Sequence, residues 1–259
     1  MPVFKIICLA KSRRPGGRCI AGLRTDGGGW VRPIAQGTTG ALLRRHYILS
    51  DGSEIEVLDV VKVRLSGPQP ELYQPENWII SEENWELEVR PATSEYLRIL
   101  WNNIERGPTL FRNKADRVHI RSFQERAAES SLALIIPDRV EWEITKTIKG
   151  KRQTRCYFKL RDTNYNLVVT DPVWESKLSG LPFGTYGSES IGCSRDEKFL
   201  FTVSLGEPFN DNYSYKLVAW VKPFTELEAL RHRGQQDGGP RDINRHKAKI
   251  ILRKRIPRE

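Results

Sequence analysis

No stretch of the sequence approaches the roughly 20 consecutive apolar residues that a membrane helix needs, so a helical membrane protein is excluded from the expectations. Histidine and cysteine are scarce, at four each, and they are scattered. Cys8, Cys19, Cys156 and Cys193 form no Cys-x-x-Cys pair, so no zinc ribbon is expected and the thiols are read as reduced and buried or half-buried. His46, His119, His232 and His246 stand at neither ligand nor triad spacing. A P-loop and a dinucleotide-binding glycine fingerprint are both missing. The short apolar run Phe4 to Ala10 is followed by Lys11, Arg13 and Arg14, the reverse of a signal peptide's order. These gaps point to a soluble, cytoplasmic chain with no membrane, no metal and no cofactor.

What is present is positive charge. The 259 residues carry 42 basic and 32 acidic side chains, a net charge of +10. The excess sits at the ends: Met1 to Arg45 carries +8, Arg231 to Glu259 carries +7, and the residues between them carry −5. Counterion release makes such local clusters the drivers of phosphate binding, so nucleic acid, DNA or RNA, is the expected partner. The mildly acidic middle leaves a protein partner as an alternative.

The pattern along the chain is mainly β. Val3–Ala10, Cys19–Leu23, Trp30–Ile34 and Glu56–Leu65 read as strands, whereas Pro68–Trp85 reads as an irregular excursion. Ser94–Arg106 has a helical period, and Phe123–Ser131 adds a helical turn. A second strand-rich unit follows: Leu132–Pro137, Val140–Ile148, Arg155–Arg161, Tyr165–Thr170, Lys198–Leu205 and Tyr215–Val221, with Lys149-Gly150-Lys151 as a basic hairpin turn. This predicts two small barrels in tandem, in residues 1–131 (with a helical insertion) and 132–230. A basic tail, 231–259, follows a linker-like break from Gly234 to Pro240.

Several groups suit phosphates and bases. Arg13, Arg14 and Arg18 flank Gly16 and Gly17 on a predicted loop, where guanidinium forks and backbone N–H groups both reach phosphate oxygens. Trp30 and Arg32 share one strand face at spacing two. They read either as a base-stacking platform or as a core tryptophan capped by an arginine. Tyr157, Lys159 and Arg161 share a face of another strand. In the tail, Lys247, Lys249, Arg253, Lys254 and Arg255 are expected to position phosphates without reading bases. Asp138, Glu141, Glu143 and Lys146 suggest a nuclease-like cluster only superficially, and Asp171-Pro172 reads as a turn that bonds its own backbone.

The opening Lys5-Ile6-Ile7-Cys8-Leu9-Ala10-Lys11-Ser12-Arg13, with Gly16-Gly17-Arg18-Cys19-Ile20-Ala21-Gly22 and Gly28-Gly29-Trp30-Val31-Arg32-Pro33-Ile34, resembles the dual OB-containing domain family, a prokaryotic group. Val169-Thr170-Asp171-Pro172, Val203 to Phe209 and Tyr215 to Ala219 are similar to its later motifs. The resemblance implies two OB-type barrels and binding of single-stranded DNA or RNA, with an association with phage defence or nucleic-acid repair. The alternatives left open are a metal-dependent nuclease or other nucleic-acid-modifying enzyme, and an adaptor for a partner effector.

Overall fold

The computed structural model of the chain describes residues 1–37 and 40–236. The first sheet contains β1 (Val3–Arg14), β2 (Gly17–Arg24), β3 (Trp30–Ile34), β4 (Val60–Pro68), β5 (Asn77–Ile80) and β6 (Glu86–Val89). The first five pair in the order β1-β2-β3-β5-β4, and β4 returns to β1, which closes a five-stranded barrel. Strand β3 runs parallel to β5, and the β1–β2, β2–β3, β4–β5 and β1–β4 pairs are antiparallel. One long strand serves both sides of the closure. β1 pairs through Val3–Ile7 with β4 and through Ile6–Arg14 with β2, bending at a register shift between Cys8 and Ala10. The barrel is filled by Ile6, Cys8, Ile20, Val31, Val61, Val63, Leu65 and Trp85.

The second sheet repeats this order. Strands β8 (Leu132–Ile135) and β9 (Asp138–Lys146) are two pieces of one bent strand, interrupted at Ile136-Pro137, where Pro137 has no N–H to give to a ladder. β9 pairs with β10 (Arg152–Leu160), β10 with β11 (Thr163–Val169), and β11 runs parallel to β14 (Tyr213–Pro223). β14 pairs with β13 (Phe199–Pro208), and β13 returns to β8. Counting β8 and β9 as one, the order is again first-second-third-fifth-fourth-first, the Greek-key barrel of an OB fold. Its core is aromatic: Trp142 lies 4.9 Å from Trp174 and 5.9 Å from Phe201, with Phe158, Tyr165 and Phe199 around them. Two short strands are added, β7 (Arg117–His119) on β14 and β12 (Gly184–Tyr186) on β9.

The four α-helices among the described residues lie outside the barrels: α1 (Ser94–Asn102), α2 (Ile120–Glu125), α3 (Pro172–Lys177) and α4 (Phe224–Gln236). α1 ends four residues before the expected Arg106, with Leu97 and Leu100 buried among Ile7, Leu9, Leu134, Leu200, Trp220 and Leu227, a core shared by both barrels. α2 covers Ile120–Glu125 rather than Phe123–Ser131. The excursion Pro68–Trp85 hides β5, a strand of only four residues. The break expected from Gly234 begins inside α4, so Gly234 to Gln236 are helical. No helix among the described residues is long and apolar enough to cross a membrane.

Candidate nucleic-acid interface

Ion pairs cancel most of the N-terminal charge cluster. Of the nine cations from Met1 to Arg45, seven hold carboxylates: Lys5 to Glu88, Lys11 to Glu54 and Glu56, Arg13 to Glu175, Arg14 to Glu207, Arg24 to Asp26, Arg32 to Glu76 and Arg44 to Glu54. Nearly all of these carboxylates come from the acidic middle, so the two halves of the charge pattern are complements. Of these nine, only Arg18 and Arg45 make no ion pair among the described residues.

This corrects the reading of the first arginine group. The Arg13–Arg18 segment is no open loop: it is a two-residue hairpin at Pro15-Gly16, with Arg13 opposite Arg18 and Arg14 opposite Gly17. Arg13 reaches Glu175 on α3, beside the second barrel, at 2.7 Å, its backbone N–H donates to Thr170 O at 2.9 Å, and Arg14 grips Glu207. The hairpin clasps the two barrels together. Burial raises the pKa of Glu175, and the Arg13 charge opposes that rise.

Arg32 is withdrawn from any stacking platform because it is 2% exposed. Its Nη1 donates to Cys19 Sγ at 2.8 Å, and its Nη2 to Ser131 Oγ at 2.6 Å and Ser204 Oγ at 3.3 Å. Its Nε donates to Glu76 Oε1 at 3.2 Å, and Glu76 in turn accepts from the Ser131 N–H at 3.1 Å and the Ser131 hydroxyl. This is a buried network between the barrels. Trp30, half-buried, faces a cleft of about 380 Å³ with Arg24, Pro75, Glu76 and Trp78. It also borders a larger cavity of about 700 Å³ that includes Phe111, Arg112 and Arg126. The outer side of β2 and β3 is therefore spent on packing. Ala21 meets Leu132 and Ala219, and Leu23 joins Leu134, Leu200 and Trp220.

The matching face of the second barrel is open. Along β10, Thr154, Cys156, Phe158 and Leu160 point inward, and Gln153, Arg155, Tyr157 and Lys159 point outward. Tyr157 is 39% exposed. Each outward residue has a different neighbour on either side. Toward β9 lie Glu143 opposite Arg155, Glu141 opposite Tyr157 and Asp138 opposite Lys159. Toward β11 lie Val168, Asn166 and Asn164. Arg155 turns to the β11 side, donating to Asn166 Oδ1 and O at 2.8 Å each. Partial burial, then the Glu143 charge, raise the pKa of the Tyr157 hydroxyl. Arg161 follows in the turn, exposed, with a left-handed φ of 53°.

The open face continues into the β9–β10 hairpin. From Lys146 to Arg161 the chain has seven cations and no acid. None of the seven makes an ion pair among the described residues. Lys146 and Arg152 lie over the Phe183 ring, 4.8 and 5.6 Å from its centroid. The sequence singles out Tyr157, Lys159 and Arg161 as a face and reads Lys149 and Lys151 only as a basic turn; it does not gather Lys146, Arg152 and Arg155 with them. The missing signal was a running count of acids, since the end-weighted charge balance averaged this stretch into an acidic middle. The tail residues Lys247, Lys249, Arg253, Lys254 and Arg255 lie outside the described residues.

The carboxylate candidates do not gather. Asp171 is the N-cap of α3: Oδ1 accepts from Val173 N at 2.9 Å and Trp174 N at 3.3 Å, and Oδ2 from Val221 N at 3.0 Å. Burial raises its pKa against those donors. Glu141 and Glu143 point outward from β9 while Trp142 fills the core. Among the described residues, no group of three or more His, Cys, Asp or Glu is placed to share a metal ion.

Three comparisons with known proteins bear on identity. No curated protein matches the sequence. Among solved structures, the tetrameric p202 HIN2 is similar at 8% identity over 86% of this chain and 94% of that one, with a TM-score of 0.27. A murine DNA binding protein bound with double-stranded DNA is similar at 8% identity over 86% and 98%, with a TM-score of 0.29. At such TM-scores neither likeness carries an argument. The family described as Dual OB-containing domain matches residues 4–221. That span takes in both barrels and their shared core, so the chain belongs to the dual OB-containing domain family.

Proposed function

We propose that this protein binds single-stranded nucleic acid, DNA or RNA, along the β10–β11 face of its second barrel. One observation carries the reading: the outward row from Lys151 to Arg161 is cationic, aromatic and, among the described residues, free of ion pairs, on the strands where OB folds take oligonucleotides. Tyr157 offers a base-stacking surface, and Lys151, Lys159 and Arg161 offer charges to phosphates. The acids of β9 repel a backbone on their side, so the strand runs on the β11 side, past Asn164 and Asn166, whose amides are hydrogen-bonding partners for bases. At about 3.3 Å per residue the row from Lys151 to Arg161 is roughly 33 Å long, a length that accommodates the ~4–16 nucleotides an OB fold covers.

The test is fluorescence anisotropy of labelled single strands across a salt series. Three phosphate contacts, from Lys151, Lys159 and Arg161, correspond to a slope near −2 in log K against log salt, at about −0.7 per contact on single strands. Tyr157→Ala should cost about 1–3 kcal/mol of binding, and Lys159→Ala with Arg161→Ala should flatten the slope by about 1.4. An affinity indifferent to salt and to all three substitutions would sink the proposal. The same strands, incubated with and without divalent metal, report on the nuclease alternative through a cleavage ladder.

A further inference from the structure

The β9–β10 hairpin carries a feature that single-strand binding does not use. Ile148 at its tip is fully exposed, more so than any other large apolar side chain among the described residues. Exposure alone means little, because scattered surface aliphatics are ordinary. Its setting is what distinguishes it. Lys146, Lys149, Lys151 and Arg152 surround it, with no acid in the loop and no ion pair to any of them among the described residues.

The tip is also held in shape. Thr147 N donates to Lys151 O at 2.7 Å, Gly150 N to Thr147 O at 2.8 Å, and Lys151 N to Thr147 Oγ1 at 3.1 Å. Gly150 supplies the positive φ of 72° that the turn needs. At the base, Arg152 donates to Leu178 O at 3.0 Å and Leu181 O at 2.6 Å, which ties the ribbon to the segment that follows α3. A rigid ribbon ending in one aliphatic side chain among cations matches what unstacks a duplex: the cations hold phosphates on both strands, and the aliphatic enters between base pairs.

We propose that this hairpin is a wedge that inserts Ile148 into a base step of duplex nucleic acid and passes a freed strand to the adjoining β10–β11 face. The proposal rests on the reading of that face as a single-strand site. A lipid surface is the less suitable occupant. One isoleucine offers little apolar area, and the nearby Phe183 ring is already taken by Lys146 and Arg152.

The experiment uses the full chain and a duplex with 2-aminopurine beside a single-strand overhang. Wild-type protein should raise the 2-aminopurine fluorescence. Ile148→Ser should keep about a fifth of that rise or less while its single-strand affinity stays within about twofold, since the side chain sits in the turn and not in the outward row of β10. Lys149→Ala with Lys151→Ala should lower the duplex salt slope by about 2. An Ile148→Ser protein that unstacks the duplex as wild type does would overturn the wedge while leaving the single-strand reading intact. Absence of wild-type single-strand binding would overturn that reading instead. A third arm uses anionic phosphatidylserine vesicles. Sedimentation with them that depends on Ile148, alongside unchanged duplex fluorescence, would assign the tip to membranes and refute the wedge.

Discussion

Replacing Arg32 by Met removes the cation from a network that is closed on every side. Arg32 is 2% exposed and its partner Glu76 5% in the side chain, so neither charge can turn to water. Truncating one member of such a pair leaves the other charge buried, which costs about 3–5 kcal/mol. Glu76 keeps its two donors from Ser131, which places the expected loss at the lower end, near 3 kcal/mol. For a chain of this size that is a fall in Tm of roughly 6–12 °C. The double variant Arg32→Met, Glu76→Gln removes both charges, keeps an amide group to bond the N–H and hydroxyl of Ser131, and leaves the Ser204 hydroxyl and the Cys19 thiol without the Arg32 donor. At about 1 kcal/mol for each, it should lie within roughly 2 kcal/mol of wild type, so the second substitution restores stability. Urea unfolding of all four proteins measures this. The loss should be the same at low salt and at about 1 M, because buried pairs are not screened. An Arg32→Met protein within about 1 kcal/mol of wild type, or a double variant equal to the sum of the singles, would refute the assignment. Loss of oligonucleotide binding at full stability would return Arg32 to the binding surface.

Three further outcomes are expected. Asp171→Asn should destabilise the fold by about 1–3 kcal/mol, because the amide presents N–H groups toward Val221 N or toward the first turn of α3 whichever way it is set, and thermal melts will show it. Gly22→Ala should cost at least about 1–3 kcal/mol in urea unfolding, since the added methyl would lie 2.3 Å from the Ile7 carbonyl oxygen in a closed barrel. Lys216 is buried, with Nζ donating to Asn113 O at 2.6 Å and Ala115 O at 2.7 Å, and burial lowers its pKa to about 7. The unfolded chain, with the ordinary value of 10.5, then binds more protons between those two pH values, so stability should rise with pH across that window. Lys216→Met should remove this slope from urea midpoints measured at pH 7 to 10, and an unchanged slope would reject the attribution.

Most strands were legible because their residues alternate or run apolar for five or more positions. β3, at Trp30–Ile34, has the expected limits, and β10 and β14 extend their predicted cores by two or three residues at the N-terminal end. β5 was not legible. Asn77-Trp78-Ile79-Ile80 is short and embedded in Pro and Glu, and it is a strand because β3 and β4 both offer it ladders. The split first strand of the second barrel was read as two, as the hydrogen bonding has it, but their equivalence to one strand emerges only from the β13–β8 and β9–β10 pairings. Charge was the least legible. Arg13, Arg14 and Arg32 look free in the sequence because Glu175, Glu207 and Glu76 stand 162, 193 and 44 residues away.

The same sequence nevertheless carried a sign of which barrel keeps its face open. A strand covered on both sides is apolar throughout, and a strand with one wet side alternates. In β2, Cys19-Ile20-Ala21-Gly22-Leu23 has no polar position besides the half-buried thiol, and both of its sides are covered, one by the barrel core and one by the second barrel. In β10, Arg155-Cys156-Tyr157-Phe158-Lys159-Leu160 alternates without a break, and only its even positions are buried. Two barrels of identical strand order thus differ in one physical respect. The second strand of the first is built to dock on protein, and the second strand of the other is built to meet water. If nucleic acid bound both barrels equally, the outward side of β2 would have to be polar, and Ala21 and Leu23 are not.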